Sequence, residues 1–300
     1  YPIGGADQIS EKTLEVFTAH GGKVFINADV TKIVTKNNCV QGIQIGEKFI
    51  TCKSVISNVG VNNTFNFLLS EADKNFCDFN LKNVQPASAH ICLYLGLNKS
   101  SEALNLPKYN LWYYKHDGID SIFEEATLEN APENFAYISF PSAKDPNWET
   151  KNPGTATIQA ISVGNMEWFD GYKDSKWMKR GDEYLQIKKN FEKEMLKVLY
   201  RFFPQIEGTV VASEVSTPLS TENFTNYKSG EIYGLAHTPE RFTLPFLRPK
   251  TKIKGLFLAG QDITLVGVAG AMLSGLLCAT AILKFRSWKI FKEVKAQKNQ

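Results

Sequence analysis

Apolar side chains recur every three or four positions in two stretches of the chain. Between residues 6 and 21, apolar positions such as Leu14 share one helical face, and Gly21 supplies the left-handed residue that often ends a helix. Between residues 182 and 203, large apolar residues alternate with Lys and Glu at the same spacing, and Pro204 follows. The pattern predicts two amphipathic helices, over 6–21 and 182–203.

Short runs rich in β-branched and aromatic residues predict strands. The first four are divided by Asn and Gly turn residues, which is typical of an antiparallel meander. The predicted strands cover residues 23–26, 30–35, 39–45, 49–57, 89–95, 110–114, 135–140, 155–163 and 255–260. A Gly- and Ala-rich helix follows the last strand. The chain is therefore expected to have a mixed fold, α/β to α+β, in three segments: 1–60, 61–245 and 246–300.

Composition and charge exclude several classes of protein. The 300 residues are 43% hydrophobic and 22% charged, which suits a packed core and excludes a disordered chain. The formal charge is only +3 and is spread along the chain apart from a basic C-terminal tail, so no nucleic-acid footprint is present. The five cysteines are scattered without C-x-x-C spacing, which argues against a disulfide framework, a zinc site or a dithiol pair. They indicate small core residues in a reducing, intracellular compartment.

Both ends of the chain carry signals about its context. The first five residues, Tyr-Pro-Ile-Gly-Gly, contain no initiator Met and no secretory signal, so the chain is expected to begin in mid-protein. Residues 263–283 carry no charge over a length close to that of a membrane span. Residues 284–298 place Phe285, Trp288 and Phe291 on one helical side among several basic residues. This tail is either an interfacial membrane helix or a helix packed on its own domain.

The segment from 255 to 283 carries the clearest chemical signal. A short apolar strand leads through Asp262 into a helix with Gly267, Ala271, Gly275 and Ala279 every four positions. Such a stripe lets another surface approach the backbone, and a glycine-rich helix start points free N–H groups at an electron-rich ligand such as a phosphate or a flavin ring. A transmembrane helix also uses small residues at this spacing. The strand and Asp262 immediately upstream favour a cofactor helix, because a bare membrane span needs neither.

Residues 248–262 read Arg-Pro-Lys-Thr-Lys-Ile-Lys-Gly-Leu-Phe-Leu-Ala-Gly-Gln-Asp, and a Gly-Val-Ala-Gly-Ala run begins at Gly267. Together they resemble the C-terminal flavin-binding signature of the phytoene desaturase, carotenoid isomerase and retinol saturase flavoproteins. Further matching stretches lie at residues 1–5, 140–146, 168–169, 179–181, 217–219 and 230–242. These stretches extend over nearly the whole chain, and the retinol saturase branch is the most similar.

The resemblance implies a partial FAD/NAD(P)-binding, Rossmann-like domain, formed by segments 1–60 and 246–300. The segment between them would be an inserted substrate domain with a mixed β-sheet and helices. The implied cofactor is FAD. The residues that the resemblance assigns to it are Gly4, Gly5, Val30, Gly260, Asp262, Gly267, Val268 and Gly270. Two of these assignments have simpler alternatives, because Asp262 suits a helix cap or turn and the Gly4-Gly5 pair suits a tight turn.

One departure from the family pattern is large. Its members open with a strand followed by G-x-G-x-x-G, whose glycines let a helix approach the FAD pyrophosphate. That motif occurs nowhere in the 300 residues. The chain is therefore expected to be the C-terminal part of a longer enzyme, with the missing N-terminal half as its partner, and to bind FAD poorly alone.

The resemblance implies hydride transfer from reduced FAD to a conjugated double bond of an apolar isoprenoid, with saturation of retinol as the first reading. Isomerisation or desaturation of a carotenoid is a second, and a non-catalytic, membrane-anchored binding protein for apolar ligands is a third. No catalytic residue is assigned: His237 suits an acid, a base or a surface hydrogen bond. The other histidines lack metal-ligand spacing. Aromatic residues at 112–114, 140, 168 and 169 suit a polyene tunnel or an ordinary core.

Overall fold

The structure is a computed structural model that describes residues 1–288, 290 and 292. The chain forms two compact units. Unit 1 comprises Tyr1–Val24 and Ser88–Phe224, and unit 2 comprises Phe25–Ala87 and Thr225–Gln300. Each unit has a hydrophobic core of its own.

The strands of the described chain are β1 Val30–Lys36, β2 Cys39–Ile45, β3 Lys48–Thr51, β4 Val55–Ser57, β5 Ala89–Leu97, β6 Leu111–Tyr114, β7 Phe135–Ser139, β8 Ala156–Gly164, β9 Val210–Ser216 and β10 Leu256–Leu258. The α-helices are α1 Gln8–Ala19, α2 Val61–Asn63, α3 Glu71–Phe76, α4 Ile119–Glu124, α5 Ala131–Asn134, α6 Pro141–Lys144, α7 Trp148–Lys151, α8 Asp182–Phe202, α9 Pro218–Thr225, α10 Pro239–Thr243 and α11 Gly267–Leu283. A π-helical turn covers Thr64–Leu68, and 3₁₀ turns cover Met166–Tyr172, Pro204–Ile206 and Lys284–Arg286.

Unit 1 is built on a five-stranded antiparallel sheet in the order β6-β7-β8-β5-β9. Burial alternates along β8, where Ala156, Ile158 and Ala160 are buried and the residues between them are half-buried. This period of two places one sheet face in the core. Helix α8 contributes to the same core through residues such as Phe191 and Met195, as its amphipathic pattern predicts.

Unit 2 combines two small sheets. Strands β1, β2 and β3 form an antiparallel meander, whereas β4 pairs in parallel with β10, which lies about two hundred residues later in the chain. The core packs Ile33 of β1 with Leu256 and Leu258 of β10 and with Phe65 of the π-helical turn. The parallel pair brings the segments before residue 88 and after residue 224 into one unit.

The predicted helices and strands are largely present, and the strands differ from the prediction in three respects. Residues 23–26 do not form a strand, and Phe25 and Ile26 are exposed, because no neighbouring strand pairs with them in the described chain. The predicted strand 49–57 is two strands, since β3 closes the meander while β4 joins β10. Strand β9 is additional; it lies at a sheet edge and is mostly exposed, so it lacks the buried alternation that identifies a strand in sequence.

The compact units do not divide at residues 60 and 245. The breaks in the structure follow residues 24, 87 and 224, and residues 1–24 belong to unit 1. Residues 61–87 stay in unit 2 because Val61, Phe65 and Phe79 lie in its core. The functional names given to the segments remain predictions.

Candidate functional site

The two parallel strands of unit 2 end side by side. Ser57, the last residue of β4, is the ladder partner of Leu258, the last residue of β10. The Ala259 N–H donates to the Ser57 carbonyl at 3.0 Å, so the two segments of the chain remain adjacent where the strands end. Ligands of open α/β sheets bind outside the carboxyl ends of parallel strands. This edge is therefore the candidate site.

Gly260 lies at this edge, directly beside the segment that follows β4. A Cβ at this position would lie 2.2 Å from Oδ1 of Asn58, and the φ angle of Gly260 is +103°. Its N–H donates to Oγ of Ser274 at 2.6 Å, which ties the strand end to helix α11. Both the space and the backbone conformation thus require glycine.

Asp262 is buried, and both of its carboxylate oxygens are held by the chain itself. Oδ2 accepts from the Val61 N–H and Oδ1 from the Leu235 N–H, each at 2.9 Å. Gly60 and Gly234 leave the room that the carboxylate occupies, because a Cβ on Gly234 would lie 2.1 Å from Oδ1. Asp262 therefore joins three segments of unit 2. Its assignment to a cofactor remains a prediction.

Two cavities lie along this edge of unit 2. The larger, of about 660 Å³, is lined by Asp29 and Val30 at the start of β1, by Asn58 and by Tyr227, among others. The smaller, of about 120 Å³, is lined by Gly60, Gly260, Asp262 and Ala271 and again by Asn58 and Tyr227. Burial, assisted by the Asp262 carboxylate, raises the pKa of Tyr227, so this shared hydroxyl stays neutral. The sequence-predicted residues Val30, Gly260 and Asp262 thus line neighbouring cavities.

Helix α11 presents its first turn without cover. A Cβ on Gly267 would meet no atom within 4 Å, and Val268 is 60% exposed. Gly270 is different: it is buried, and a Cβ there would lie 2.1 Å from the carbonyl oxygen of Leu265. The first N–H groups of a helix have no partner within it. The helix start could therefore accept an electron-rich group.

The stripe of small residues predicted along α11 is not the face that packs inside unit 2. The buried residues of the helix are Gly270, Ser274 and Cys278, also at a spacing of four. Gly267 and Gly275 of the predicted stripe are exposed, and a Cβ on either would meet open space. Sequence spacing identified a repeat of four but could not distinguish the two faces.

Behind the helix start, a buried arginine organises the turn that leads into it. Arg241 of α10 is 1% exposed. Its guanidinium donates to the carbonyls of Leu235 at 2.7 Å, of Thr264 at 3.2 Å and of Gln261. Burial lowers the pKa of Arg241, and the Asp262 carboxylate partly offsets this effect. The carbonyls compensate the cost of removing the charge from water.

His237 lies between this guanidinium and helix α11. Its Nδ1 is 2.8 Å from Nη1 of Arg241, and its Nε2 is 3.2 Å from the N–H of Val266, the residue that caps the helix. The pKa of His237 is lowered, first by desolvation and then by the Arg241 charge. The imidazole is therefore neutral at neutral pH and can accept one hydrogen bond, through the ring nitrogen that carries no proton.

The Gly4-Gly5 pair lies in unit 1, whereas the other predicted site residues lie in unit 2. Both glycines have positive φ angles, and the Gly4 N–H donates to Oδ1 of Asp145 at 2.9 Å. This bond, with one from the Asn147 N–H, lowers the pKa of Asp145. The structure shows the tight turn; a role beside a flavin remains a prediction.

Some of the other side chains considered from the sequence are buried in a core, whereas others are exposed. Phe140 and Phe169 are fully buried in the core of unit 1, which contradicts a place in a ligand tunnel. The 112–114 run is divided: Tyr113 packs against that core, whereas Trp112 is 57% exposed. Between residues 1 and 288, no three His, Cys, Asp or Glu side chains are grouped to hold a metal ion.

Several residues of the site were not singled out from the sequence. Asn58 and Tyr227 line both cavities, and Arg241 fixes the turn before α11. Arg241 lies inside one of the stretches that carried the resemblance, but an arginine in a polar loop gives no sign of being buried. Only the tertiary contacts reveal its role.

Solved structures define the class of fold. The chain is similar to an oxidoreductase from Methanosarcina mazei, with 20% identity over 94% of this chain and 55% of that chain and a TM-score of 0.56. It is also similar to putrescine oxidase bound to putrescine, with 15% identity over 94% of this chain and 53% of that chain and a TM-score of 0.58. The predicted mixed α/β fold is confirmed as one that oxidoreductases use.

Sequence relatives are more specific. The chain is 30% identical to all-trans-retinol 13,14-reductase of Danio rerio over 94% of this chain and 49% of that protein. It is 31% identical to an inactive all-trans-retinol 13,14-reductase of Danio rerio, over 94% of this chain and 49% of that protein. Prolycopene isomerase 1 of an Oncidium hybrid cultivar is 27% identical over 93% of this chain and 45% of that protein. No protein-family model matches the chain.

These matches confirm the resemblance to the phytoene desaturase, carotenoid isomerase and retinol saturase group, and most strongly to its retinol 13,14-reductases. The chain spans about half the length of the curated relatives that it matches.

Proposed function

We propose that this chain is part of an FAD-dependent oxidoreductase that acts on a conjugated polyene isoprenoid and saturates a double bond of retinol. The observation that carries the proposal is the similarity to retinol 13,14-reductases over nearly the whole chain. The open groove at the carboxyl ends of β4 and β10 supports it, because this is where nucleotide cofactors bind in related topologies.

The residues of unit 2 fit a dinucleotide cofactor. The cavity of about 660 Å³ beside Val30 has the size of a small-ligand pocket, and its walls are mostly apolar or neutral. The uncovered first turn of α11 at Gly267 offers N–H groups at a positive helix end. We assign Val30 to the adenine end of the cofactor and Gly260 and Asp262 to its middle, the ribityl and pyrophosphate region. The flavin end is assigned to Gly267, Val268 and Gly270.

When bound and reduced, FAD supplies a hydride, and saturation of a carbon–carbon double bond adds that hydride and one proton. The contribution of this chain would be placement. Asp262 keeps the segments at Val61 and Leu235 together, and Gly260 allows the strand ends to approach. The carboxyl groups and imidazoles described here are not assigned to the proton transfer.

We also propose that a segment outside this chain completes the cofactor domain. The relatives are about twice as long, and the chain lacks G-x-G-x-x-G. Parallel sheets are normally covered on both faces. Here β4 and β10 form only a two-stranded parallel sheet, and Ile56 of β4 is 54% exposed. A strand and helix with the dinucleotide motif would suit this open sheet.

Two other functions have specific support. Similarity to prolycopene isomerase and phytoene desaturase favours redox-neutral isomerisation or desaturation of a carotenoid on the same fold. Helix Gly267–Arg286 is long and apolar enough to cross a membrane by length and composition, and 17% of its apolar 18-residue stretch is buried. It would suit an anchored, non-catalytic binding protein, or a peripheral enzyme at an intracellular membrane.

Flavin absorbance near 450 nm in the purified full-length protein tests the enzyme class. The expected result is stoichiometric flavin that is lost on Gly267→Leu, because a branched side chain would fill the open space at the helix start. Gly154→Leu, at a glycine of unit 1 with equally open surroundings, is the matched control and should keep the flavin. A flavin-free wild type would favour the binding protein.

Product analysis separates the reactions. The reduced full-length protein is incubated anaerobically with all-trans-retinol and, separately, with a poly-cis carotenoid. We expect a product of retinol that is two mass units heavier. Because one relative is named inactive, only this measurement decides activity. A carotenoid isomer of unchanged mass, without any retinol product, would overturn the saturase proposal in favour of the isomerase.

A further inference from the structure

His237 and Arg241 form a pair of neighbouring side chains that contact the start of helix α11. The guanidinium of Arg241 binds the carbonyls of Gln261 and Thr264, which precede the helix. Nε2 of His237 accepts from the N–H of Val266, which caps it. The turn between β10 and α11 is thus bound from one side at three of its residues.

The chemistry of this contact depends on a single lone pair. A neutral imidazole has one accepting nitrogen, whereas the protonated ring has none. Two groups that approach the ring nitrogens of His237, the guanidinium of Arg241 and the N–H of Val266, are donors, whereas the Leu235 backbone favours the protonated ring. Protonation of the ring would therefore remove the acceptor and place a second cation 2.8 Å from the guanidinium and close to the positive end of a helix.

We infer that His237, which lies beside Arg241, is a positioning residue for the first turn of α11 and makes the geometry of that turn sensitive to pH. The inference rests on the proposed function in one respect: the ligand whose binding should respond is FAD. His237 is exposed, so protons reach it readily. The hydrogen-bond contacts described for its ring join residues of unit 2.

The charges around the ring favour its neutral form. Arg241 faces it from α10, and Asp262 faces it from the turn. Desolvation and Arg241 lower the pKa of His237, whereas the Leu235 backbone and Asp262 act in the opposite direction with smaller effect. The aromatic ring of Phe242 packs edge-on at 5.8 Å and adds no charge. The contact should therefore persist at neutral pH and fail on acidification.

The test compares His237→Gln and His237→Ala in the full-length protein. A glutamine oxygen can accept from Val266 without titrating, whereas alanine cannot accept at all. The FAD dissociation constant is measured from pH 5 to pH 8, and hydrogen exchange of residues 264–270 is measured in the cofactor-free protein. His20→Gln is the matched control, because His20 is exposed on unit 1 and its Nδ1 contacts the carbonyl of Val16 in the preceding helix.

We expect the wild type to lose affinity as the pH falls through the lowered pKa of His237, which lies below the ordinary histidine value of about 6.5. His237→Gln should match the wild type at pH 8 and remain flat toward pH 5. His237→Ala should bind about fivefold more weakly than the wild type at pH 8, the equivalent of one hydrogen bond, and should keep that affinity toward pH 5. Wild-type affinity in His237→Ala, or an unchanged pH profile in His237→Gln, would overturn the inference.

Hydrogen exchange separates this failure from a failure of the proposed function. In the wild type, protection of Val266 and of the first turn of α11 from hydrogen exchange should decrease as the pH is lowered. In His237→Gln this protection should stay constant, with or without FAD. If the wild type carries no FAD but shows this pattern, the proposed function fails while the positioning role holds. Protection that does not depend on residue 237 would overturn the positioning role even in a flavin-loaded protein.

Discussion

At the scale of single residues, two buried charges shape the site. Arg241 is 1% exposed and Asp262 is 3% exposed. Each is neutralised mainly by backbone groups, Arg241 by carbonyls and Asp262 by N–H groups. Buried charges are tolerated when such polar partners surround them. Both residues therefore act first as connectors of chain segments that are distant in sequence.

Asp262→Ala is expected to destabilise the protein, because it leaves the N–H groups of Val61 and Leu235 buried without acceptors. The cost is roughly 1–3 kcal/mol for each N–H. Asp262→Asn keeps one accepting oxygen and should cost less. The midpoint of urea unfolding, followed by circular dichroism, measures the effect. Asp174→Ala, at an exposed position, should change stability by less than about 0.5 kcal/mol. Equal stability of all three variants would contradict the described contacts.

His90 should make unit 1 sensitive to acid. Burial lowers its pKa, and Nδ1 is buried with no hydrogen-bond partner in the structure. The folded protein thus binds a proton less readily than the unfolded chain, whose histidine has a pKa of about 6.5. The free energy of unfolding should therefore be highest above this pH and fall as the pH decreases through the lowered pKa.

The measurement is a series of urea titrations between pH 5 and pH 8. His90→Gln removes the titrating group and should reduce the slope of stability against pH. His20→Gln, at the exposed end of α1, is the control for the effect of the substitution itself. A wild-type slope in the His90 variant would show that other groups control the acid response.

At the scale of elements, helix α11 has two faces of small residues with different surroundings. Gly270 packs against the Leu265 carbonyl, while Gly275 faces open space. The sequence repeat of four is common to both faces. Which face packs within the unit follows from the Arg241 contacts, the Ser274 bond to Gly260 and the buried Cys278.

Gly270→Ala and Gly275→Ala should change the stability of the protein in opposite directions. A Cβ at Gly270 would lie 2.1 Å from a backbone oxygen, so the turn must move, at a cost of roughly 1–3 kcal/mol. At Gly275 the methyl group meets nothing, and alanine is a better helix former by up to about 1 kcal/mol. Thermal unfolding of the two variants should shift in opposite directions. A neutral Gly270→Ala would contradict the described turn.

At the scale of the whole molecule, the last part of the described chain exposes several large apolar side chains in one continuous segment. Met272 and Leu273 of α11 are exposed, and Phe285 and Trp288 beyond it are 95% and 57% exposed. The tail helix proposed from sequence includes Phe291, which lies outside the described residues, but Lys284 and Arg286 accompany the exposed aromatic residues. This combination is typical of a segment that enters a membrane interface.

If the protein docks on membranes through this segment, the full-length protein should sediment with vesicles that contain phosphatidylserine and be released by high salt. Phe285→Glu combined with Trp288→Glu should abolish sedimentation while FAD stays bound. Trp112→Glu is the matched control, because Trp112 is also 57% exposed but lies in unit 1. Equal loss with the control, or no sedimentation of the wild type at low salt, would contradict docking at this segment.

The sequence alone determined the features that depend on local pattern and on motifs. The amphipathic period gave helix α8 almost to the residue, and alternation with turn residues gave most strands, because these properties are set by neighbours along the chain. The stretch from Arg248 to Ala271 carried the family resemblance that the relatives confirm.

Only the tertiary structure decided the relations that depend on distant segments. The parallel pairing of β4 with β10, the burial of Arg241 and the two backbone contacts of Asp262 all join residues separated by tens to hundreds of positions. The unit boundaries follow from the same contacts. Such contacts arise from packing and from the need to pair buried polar groups, and a local pattern carries no record of which distant partner satisfies them.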